Sequence, residues 1–210
     1  MLATDSDDKL DLLVMSSTTE HSGLLVVLVG PSGVGKSTIA NALAERMNVK
    51  YIASATTREK RPGDDDAKTY EYITRPEFFR RLDQDAFLEY AQVYGDFYGT
   101  PKHPALDYLA AGQDVLLEID VQGALQVRYQ YSNALLVFIL PPDAQTLRQR
   151  LEDRGRDPPD EIEKRFRAAK REVRMAKGSR TFDHMVINDT VDRAVEEIIK
   201  TIKHKRAGGI

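Results

Sequence analysis

Leu24-Leu25-Val26-Val27-Leu28-Val29-Gly30-Pro31-Ser32-Gly33-Val34-Gly35-Lys36-Ser37 is the stretch on which the fold turns. Six apolar residues in a row, with no polar alternation, suit a strand buried on both faces, as in a parallel sheet covered by helices. Glycine and proline end the run, and Ile39, Ala40, Leu43, Ala44 and Met47 then recur along one helical stripe. Gly30 to Ser37 fits the P-loop spacing G-x-x-x-x-G-K-[ST]. Glycines let successive backbone N–H groups turn inward toward phosphate oxygens, and the helix that follows adds the positive end of its dipole. The expected cradle is Gly30, Pro31, Ser32, Gly33, Val34, Gly35, Lys36, Ser37 and Thr38. Lys36 reaches the β- and γ-phosphates of a triphosphate, and the Ser37 hydroxyl helps to hold Mg²⁺, partly through water. A glycine-rich turn that binds nothing is the plain alternative. Position between an apolar strand and an amphipathic helix is what the phosphate-binding mechanism demands, and it favours the cradle.

Outward from this motif, Val115–Ile119, Leu135–Leu140 and Phe182–Ile187 have the length and apolar density of core strands. Helical patterns cover Pro104–Ala111 (closed by Gly112), Val121–Tyr129, a stretch opening after Asp143 as N-cap, and Val191–Ile202. Strands alternating with helices predict an α/β fold with a mainly parallel sheet. Two regions break the rhythm. Residues 54–100 hold short β-like pieces and turn signals, and residues 148–174 are polar and arginine-rich, interrupted by Asp157-Pro158-Pro159. Both read as insertions from a central core. Residues 1–22 are polar and acidic and read as a mobile extension, with a short helix at Lys9–Met15 as the other option.

Composition narrows the chemistry. The 210 residues carry 30 basic and 33 acidic side chains, a net charge of −3 that gives no support to a nucleic-acid binder. There is no cysteine, which removes disulfides, thiolate metal sites and cysteine nucleophiles, and the four histidines lack metal-ligand spacing. Asp5, Asp7, Asp8 and Asp11 stand where a signal peptide needs basic residues, and no apolar run reaches membrane length. The expected setting is soluble and cytoplasmic.

GTPases, motor ATPases, helicases and kinases share the cradle, so the remaining residues must choose. No Asn-Lys-x-Asp segment is present, and Val121 follows the strand ending Glu118-Ile119-Asp120 where many ATPases place a catalytic Glu. That favours phosphoryl transfer to a small molecule. Glu118 and Asp120, two apart, are expected on one side of the strand end, facing the ligand crevice to read substrate or hold metal; a solvated carboxylate pair is the bland option. Arg58 and Arg61 lie in a turn-rich segment, where guanidinium forks suit phosphate.

The ordered set GPSGVGKST, SATTREKRPGD, FLEYAQVYGDFYGT, LLEIDVQGA, RLEDRGRD and VIND resembles the guanylate kinase family, from about Gly23 to the C-terminal helix. The resemblance implies a three-layer P-loop kinase fold, with core segments 23–53, 101–147 and 173–210, a small β-rich GMP-binding insertion at 54–100 and a helical lid at 148–172. It implies the reaction of MgATP with GMP to give ADP and GDP, within purine nucleotide metabolism and without nucleic-acid or membrane partners. Arg58, Arg61, Tyr70 and Tyr98 match positions that hold the GMP phosphate. Ser54, Glu89, Thr100 and Asp120 match the guanine side and Asn188 the adenine side, and Glu118 is grouped with the residues expected to bind GMP. Lys36 and the lid arginines Arg150, Arg154 and Arg165 match the groups that clamp the transferring phosphoryl. Asp64, Ala67 and Thr69 depart from the family pattern and touch the geometry of the Arg-Pro-Gly turn. A catalytically silent binding module of the same family, or a kinase acting on another phosphorylated acceptor, are the rival readings.

Overall fold

The computed structural model describes residues 22–60, 70–153 and 158–209. Strand β1 (Leu25–Val29) is the first of the described elements and leads through the phosphate loop into helix α1 (Lys36–Arg46). Strands β2 (Val49–Tyr51), β3 (Ser54–Thr56) and β4 (Tyr70–Tyr72) precede helix α2 (Arg75–Asp83). The hairpin of β5 (Phe87–Val93) and β6 (Asp96–Pro101) runs into α3 (Lys102–Ala110), followed by β7 (Asp114–Glu118), α4 (Val121–Gln130) and β8 (Leu135–Leu140). Helices α5 (Ala144–Asp153) and α6 (Pro159–Lys177), strand β9 (His184–Ile187) and helix α7 (Val191–Arg206) complete the described elements.

Among the described residues the strands form two sheets. The larger has the order β2-β7-β1-β8-β9 with every neighbouring pair parallel. Its central strand is β1, and Val26, Val27, Leu28 and Val29 are wholly shielded from solvent. Alternate residues serve opposite faces. Leu24, Val26 and Leu28 pack with Ile39 and Leu43 of α1 and Val195, Ile198 and Ile202 of α7. Leu25, Val27 and Val29 pack with Ala105 of α3, Ala124 and Val127 of α4 and Ala176 of α6. Helices on both faces are why the run contains no polar residue. Each such side chain contributes about 1.5–3 kcal/mol by leaving water. The result is an α/β fold of three layers, with the phosphate loop at the carboxyl end of the central strand, where open parallel sheets bind ligands.

The smaller sheet has the order β4-β3-β6-β5. Strand β3 pairs parallel with β4 and antiparallel with β6, and the β5–β6 hairpin closes through Tyr94-Gly95, both at positive φ. Its own core is aromatic: Phe78 of α2 stacks on Phe87 with ring centroids 4.6 Å apart and meets Phe97 at 5.4 Å. Helices α5 and α6 form a hairpin around Leu147, Leu151 and Ala169.

Several expectations need correction. Residues 54–100 are not only β-like pieces, because α2 lies among them; Thr74 Oγ1 accepts the Glu77 N–H as its cap and Pro76 starts the first turn. The short parallel strand β2 went unread, since three residues carry no period. Strand β9 begins at His184 rather than Phe182, and α3 begins at Lys102 rather than Pro104. The strand before Asp120 ends at Glu118, and Asp120 caps α4, accepting the Gln122 N–H at 2.6 Å. The expected cap at Asp143 is present, accepting the Thr146 N–H at 2.7 Å. The extension 1–22 lies, but for its last residue, outside the described residues.

Candidate active site

One cavity of about 590 Å³ lies between the phosphate loop, the smaller sheet and helix α6. Gly30, Ser32, Gly33, Gly35, Lys36, Ser37 and Thr38 line one side. Gly33 holds φ +84, a left-handed conformation that costs other residues roughly 1–2 kcal/mol, and Leu151 of α5 packs so closely that a Cβ would stand 2.8 Å from its Cδ2. Lys36 Nζ donates to the carbonyls of Gly30 at 2.6 Å and Pro31 at 3.2 Å, so the ammonium is held over the loop it serves. The Ser37 hydroxyl donates to Glu118 Oε1 at 2.8 Å, and Tyr51 donates its hydroxyl to Glu118 Oε2 at 2.7 Å.

Opposite the loop, Ser54, Arg58, Tyr70, Tyr72, Glu89 and Tyr98 face the same space. The Arg58 guanidinium sits 5.5 Å from the Tyr70 ring and 5.6 Å from the Tyr72 ring, and Tyr98 meets Tyr70 edge-on at 5.8 Å. Burial raises the Tyr70 phenol above its ordinary pKa, so it stays a neutral hydroxyl donor. Glu89 is 3% exposed. Its Oε1 accepts the Thr100 hydroxyl at 2.6 Å and the Thr100 N–H at 3.1 Å. Loss of hydration pushes the Glu89 carboxyl up to about 7; the Thr100 hydroxyl draws it down and the nearby Asp120 charge adds to the rise. Asp120 is itself raised, by burial first, against the pull of the Gln122 and Gly123 N–H groups.

From α6, Glu161, Arg165 and Glu172 reach the cavity. Arg165 is 7% exposed, lies near Glu161 and stands over the Tyr94 ring at 5.5 Å. Burial raises the Glu172 carboxyl, while the Lys36 charge draws it down.

The expected site residues thus divide. Lys36, Ser37, Thr38, Ser54, Arg58, Tyr70, Glu89, Tyr98, Glu118, Asp120 and Arg165 share one cavity. Thr100 does not line it, but buttresses Glu89 from behind. Glu118, expected to read substrate or hold metal and grouped with the GMP-binding residues, bonds Ser37 and Tyr51, because β7 stops there and aims it at the start of α1. Arg150 is not on the cavity. Leu147 and Leu151 seat α5 against the loop, and the guanidinium beside them donates to the Val34 carbonyl at 3.3 Å and the Asn188 carbonyl at 3.0 Å. It lines a separate depression with Asp143, Gln149 and Asp153. Asn188 is 3% exposed and donates to the Val34 carbonyl at 2.8 Å, and its Oδ1 has no hydrogen-bond partner among the described residues. Arg61 and Arg154, like Asp64, Ala67 and Thr69, lie outside the described residues.

Residues that the sequence reading passed over are Tyr51, Tyr72, Tyr94, Glu161 and Glu172. A usable signal existed for two. Glu161, Arg165 and Glu172 recur at i, i+4 and i+11, one face of a helix. Tyr72 and Tyr94 reach the cavity, and Tyr51 reaches Glu118 behind it, only through tertiary approach.

Among known proteins, the family model described as guanylate kinase matches residues 22–205. A guanylate kinase of Caldanaerobacter subterraneus subsp. tengcongensis is 48% identical over 180 residues, covering 85% of this chain and 86% of that protein. One from Thermus thermophilus is 44% identical over 188 residues, 89% of this chain and 84% of that protein. The crystal structure of guanylate kinase from Anaplasma phagocytophilum superposes with a TM-score of 0.74 at 29% identity, covering 89% of this chain and 87% of that one.

Proposed function

The chain belongs to the guanylate kinase family, and on that premise we propose how its residues carry the reaction it catalyses, transfer of the γ-phosphate of ATP to GMP to give ADP and GDP. The observation that carries the reading is Glu89, a carboxylate 3% exposed, facing the same cavity as the phosphate loop. Guanine offers N1–H and a 2-amino group, both donors. Adenine offers a bare N1 acceptor and no 2-amino group, and would leave the buried carboxylate unpaired. Such a mismatch supports discrimination of roughly 10⁴-fold.

Arg58 binds the GMP phosphate, with Tyr70 and Tyr98 donating hydroxyls beside it; Arg61 has the same role. Ser54 and Asp120 complete the guanine side with Glu89, and Thr100 holds Glu89 from behind. The loop from Gly30 to Thr38 binds the ATP phosphates through its backbone N–H groups. Asn188 and Arg150 brace the loop at Val34 and serve the adenine side. Ser37 and Glu118, a hydroxyl and a carboxylate in contact, are the hard oxygen donors that Mg²⁺ takes directly or through water. Mg²⁺, when bound, neutralises charge on the β- and γ-phosphates. Lys36, Arg165 and Arg154 stabilise the charge developing on the transferring group. A GMP phosphate oxygen is already anionic near neutral pH, so no general base is required.

The smaller sheet, which lies almost wholly within 54–100, and helices α5 and α6, which extend beyond 148–172 at both ends, act as insertions that close over bound substrates and exclude water. Among the described residues no helix is long and apolar enough to cross a membrane. The chemistry belongs to purine nucleotide metabolism, in the cytoplasm where its nucleotides circulate, and calls on no nucleic acid.

The test is product identification after incubation with MgATP and each of GMP, AMP, CMP and UMP. ADP and GDP formed with GMP alone is the expected result. No turnover with any acceptor marks a silent binding module, and preference for another acceptor removes Glu89 as the guanine reader.

A further inference from the structure

We propose that helix α4 sets the position of Glu89, through Gly123 and Gln126, and so determines how tightly guanine is held. This rests on the reading of Glu89 as the group that recognises the base.

Gly123 and Gln126 lie three residues apart, on one face of α4. The Glu89 carboxylate is gripped on its other side: Oε1 takes both the hydroxyl and the N–H of Thr100. Oε2 lies against Gly123, where a Cβ would overlap it, stand 2.9 Å from the Glu89 Cδ and press Ile119 Cδ1 at 3.3 Å. Glycine inside a helix is about 1 kcal/mol worse than alanine, and the backbone here is helical, so nothing local to α4 calls for it. The obstacle to a side chain is the tip of one flexible glutamate. A methyl group there leaves the helix intact and displaces the carboxylate.

Gln126 acts on the backbone. Among the described strands β5 lies at the edge, with β6 on one side only. Along its open edge Gln126 accepts the Tyr90 N–H at 3.2 Å and donates to the Tyr90 carbonyl at 2.6 Å, standing in for a neighbouring strand. One turn to either side, Gln122 reaches the Gln92 carbonyl at 3.4 Å and Gln130 reaches the Leu88 carbonyl at 3.5 Å. Four helical residues rise about 6 Å and two strand residues about 6.8 Å. The match is close in the middle and loosens at the ends, as the distances record. The tightest pair falls on the residue after Glu89. Gln126 thus fixes the main chain that carries the carboxylate, and Gly123 leaves room for its head.

The experiment is steady-state kinetics, with GMP and ATP varied separately, alongside thermal melts. Gly123→Ala is expected to raise the GMP KM about 10-fold or more, leave the ATP KM within about twofold, and leave the melting temperature unchanged or higher. Gln126→Ala is expected to raise the GMP KM about threefold or more with the ATP KM again unmoved. In a Glu89→Ala background there is no carboxylate to displace, so adding Gly123→Ala changes GMP use by less than about twofold. An unchanged GMP KM in Gly123→Ala overturns the proposal, as does an equal loss in the Glu89→Ala background. If Gly123→Ala fails to fold, recovery of the melt in the Glu89→Ala, Gly123→Ala double variant supports the contact, and no recovery overturns it. Should Glu89→Ala alone use GMP as well as the parent, the base-reading role falls and takes this proposal with it. GMP use lost in Glu89→Ala but untouched by Gly123→Ala overturns the proposal alone.

Discussion

Ser37 and Glu118 are joined hydroxyl to carboxylate, at 2.8 Å, where helix α1 leaves the phosphate loop and strand β7 ends. The second oxygen of Glu118 is held by Tyr51 at 2.7 Å, so the carboxylate has one fixed orientation. On the proposed reading, a carboxylate placed there serves the nucleotide's metal rather than the purine. Glu118→Gln keeps the shape and removes the charge. It is expected to raise the Mg²⁺ concentration needed for half-maximal activity by about tenfold, with the GMP KM unchanged. A Mg²⁺ titration of the variant decides the matter: an unmoved Mg²⁺ requirement with a raised GMP KM returns Glu118 to the purine side.

Lys36 bridges the Gly30 and Pro31 carbonyls with its ammonium. Binding of a triphosphate gives that ammonium a stronger partner, and its charge counts most when the transferring group carries most negative charge. Lys36→Ala is expected to lower kcat by roughly 10²–10³-fold, as loss of one stabilising donor does elsewhere. The GMP KM should stay close to the parent's, because Lys36 belongs to the loop side of the cavity. A variant whose loss lies in the GMP KM contradicts the assignment.

Glu89 makes stability and substrate use depend on pH in opposite senses. Its ordinary value is 4.5 and the folded value about 7, so the folded chain binds more protons than the unfolded chain between those two pH values. Stability from this group is therefore greatest below about pH 4.5, declines as pH rises toward 7 and stays reduced above it, by up to ~3 kcal/mol. Guanine needs the ionised form, so GMP binding improves over the same interval and then levels. Melts of the substrate-free protein from pH 5 to 8, set beside Glu89→Gln, isolate the effect. Parent and variant are expected to diverge as pH rises, with Glu89→Gln the more stable at pH 8. Parallel curves would show that the carboxylate is not strained by burial.

The residues that could be read in advance are those whose role is local. The apolar run before Gly30 needs helices on both faces, and the spacing from Gly30 to Ser37 needs a backbone cradle; either can be seen in a dozen consecutive positions. Thr74-Arg75-Pro76-Glu77 was equally local, a capped helix start, and was obscured by the aromatic and turn residues around it. Arg150 was different. The family resemblance implied a phosphate ligand, but which side of α5 it lies on depends on Leu147 and Leu151 seating against the loop. Glu118 turned on where β7 stops, two residues before Asp120. Gly123 stood in the quoted LLEIDVQGA, yet its contact is with Glu89, more than thirty positions earlier in the chain. Such pairings exist only once the two sheets and α4 have come together.

Tyr94 offers a case where stability and catalysis should part company. It occupies the first position of the β5–β6 turn at φ +52, a left-handed conformation that costs a bulky side chain roughly 1–2 kcal/mol. Its ring lies under the Arg165 guanidinium, 5.5 Å from the centroid, joining the hairpin tip to helix α6. A contact of this kind is worth about 0.5–2 kcal/mol, depending on how dry it is. Tyr94→Phe keeps the ring and should hold kcat within about twofold of the parent. Tyr94→Asn suits the left-handed turn and removes the platform. It is expected to hold or slightly raise the melting temperature, the relieved turn offsetting the lost contact, and to lower kcat about 3–10-fold, since Arg165 loses one of the groups that orient it. Calorimetry and turnover measured on the same preparations give both signs at once. An equally or more stable Asn variant with full kcat would leave Tyr94 as a turn residue and nothing more.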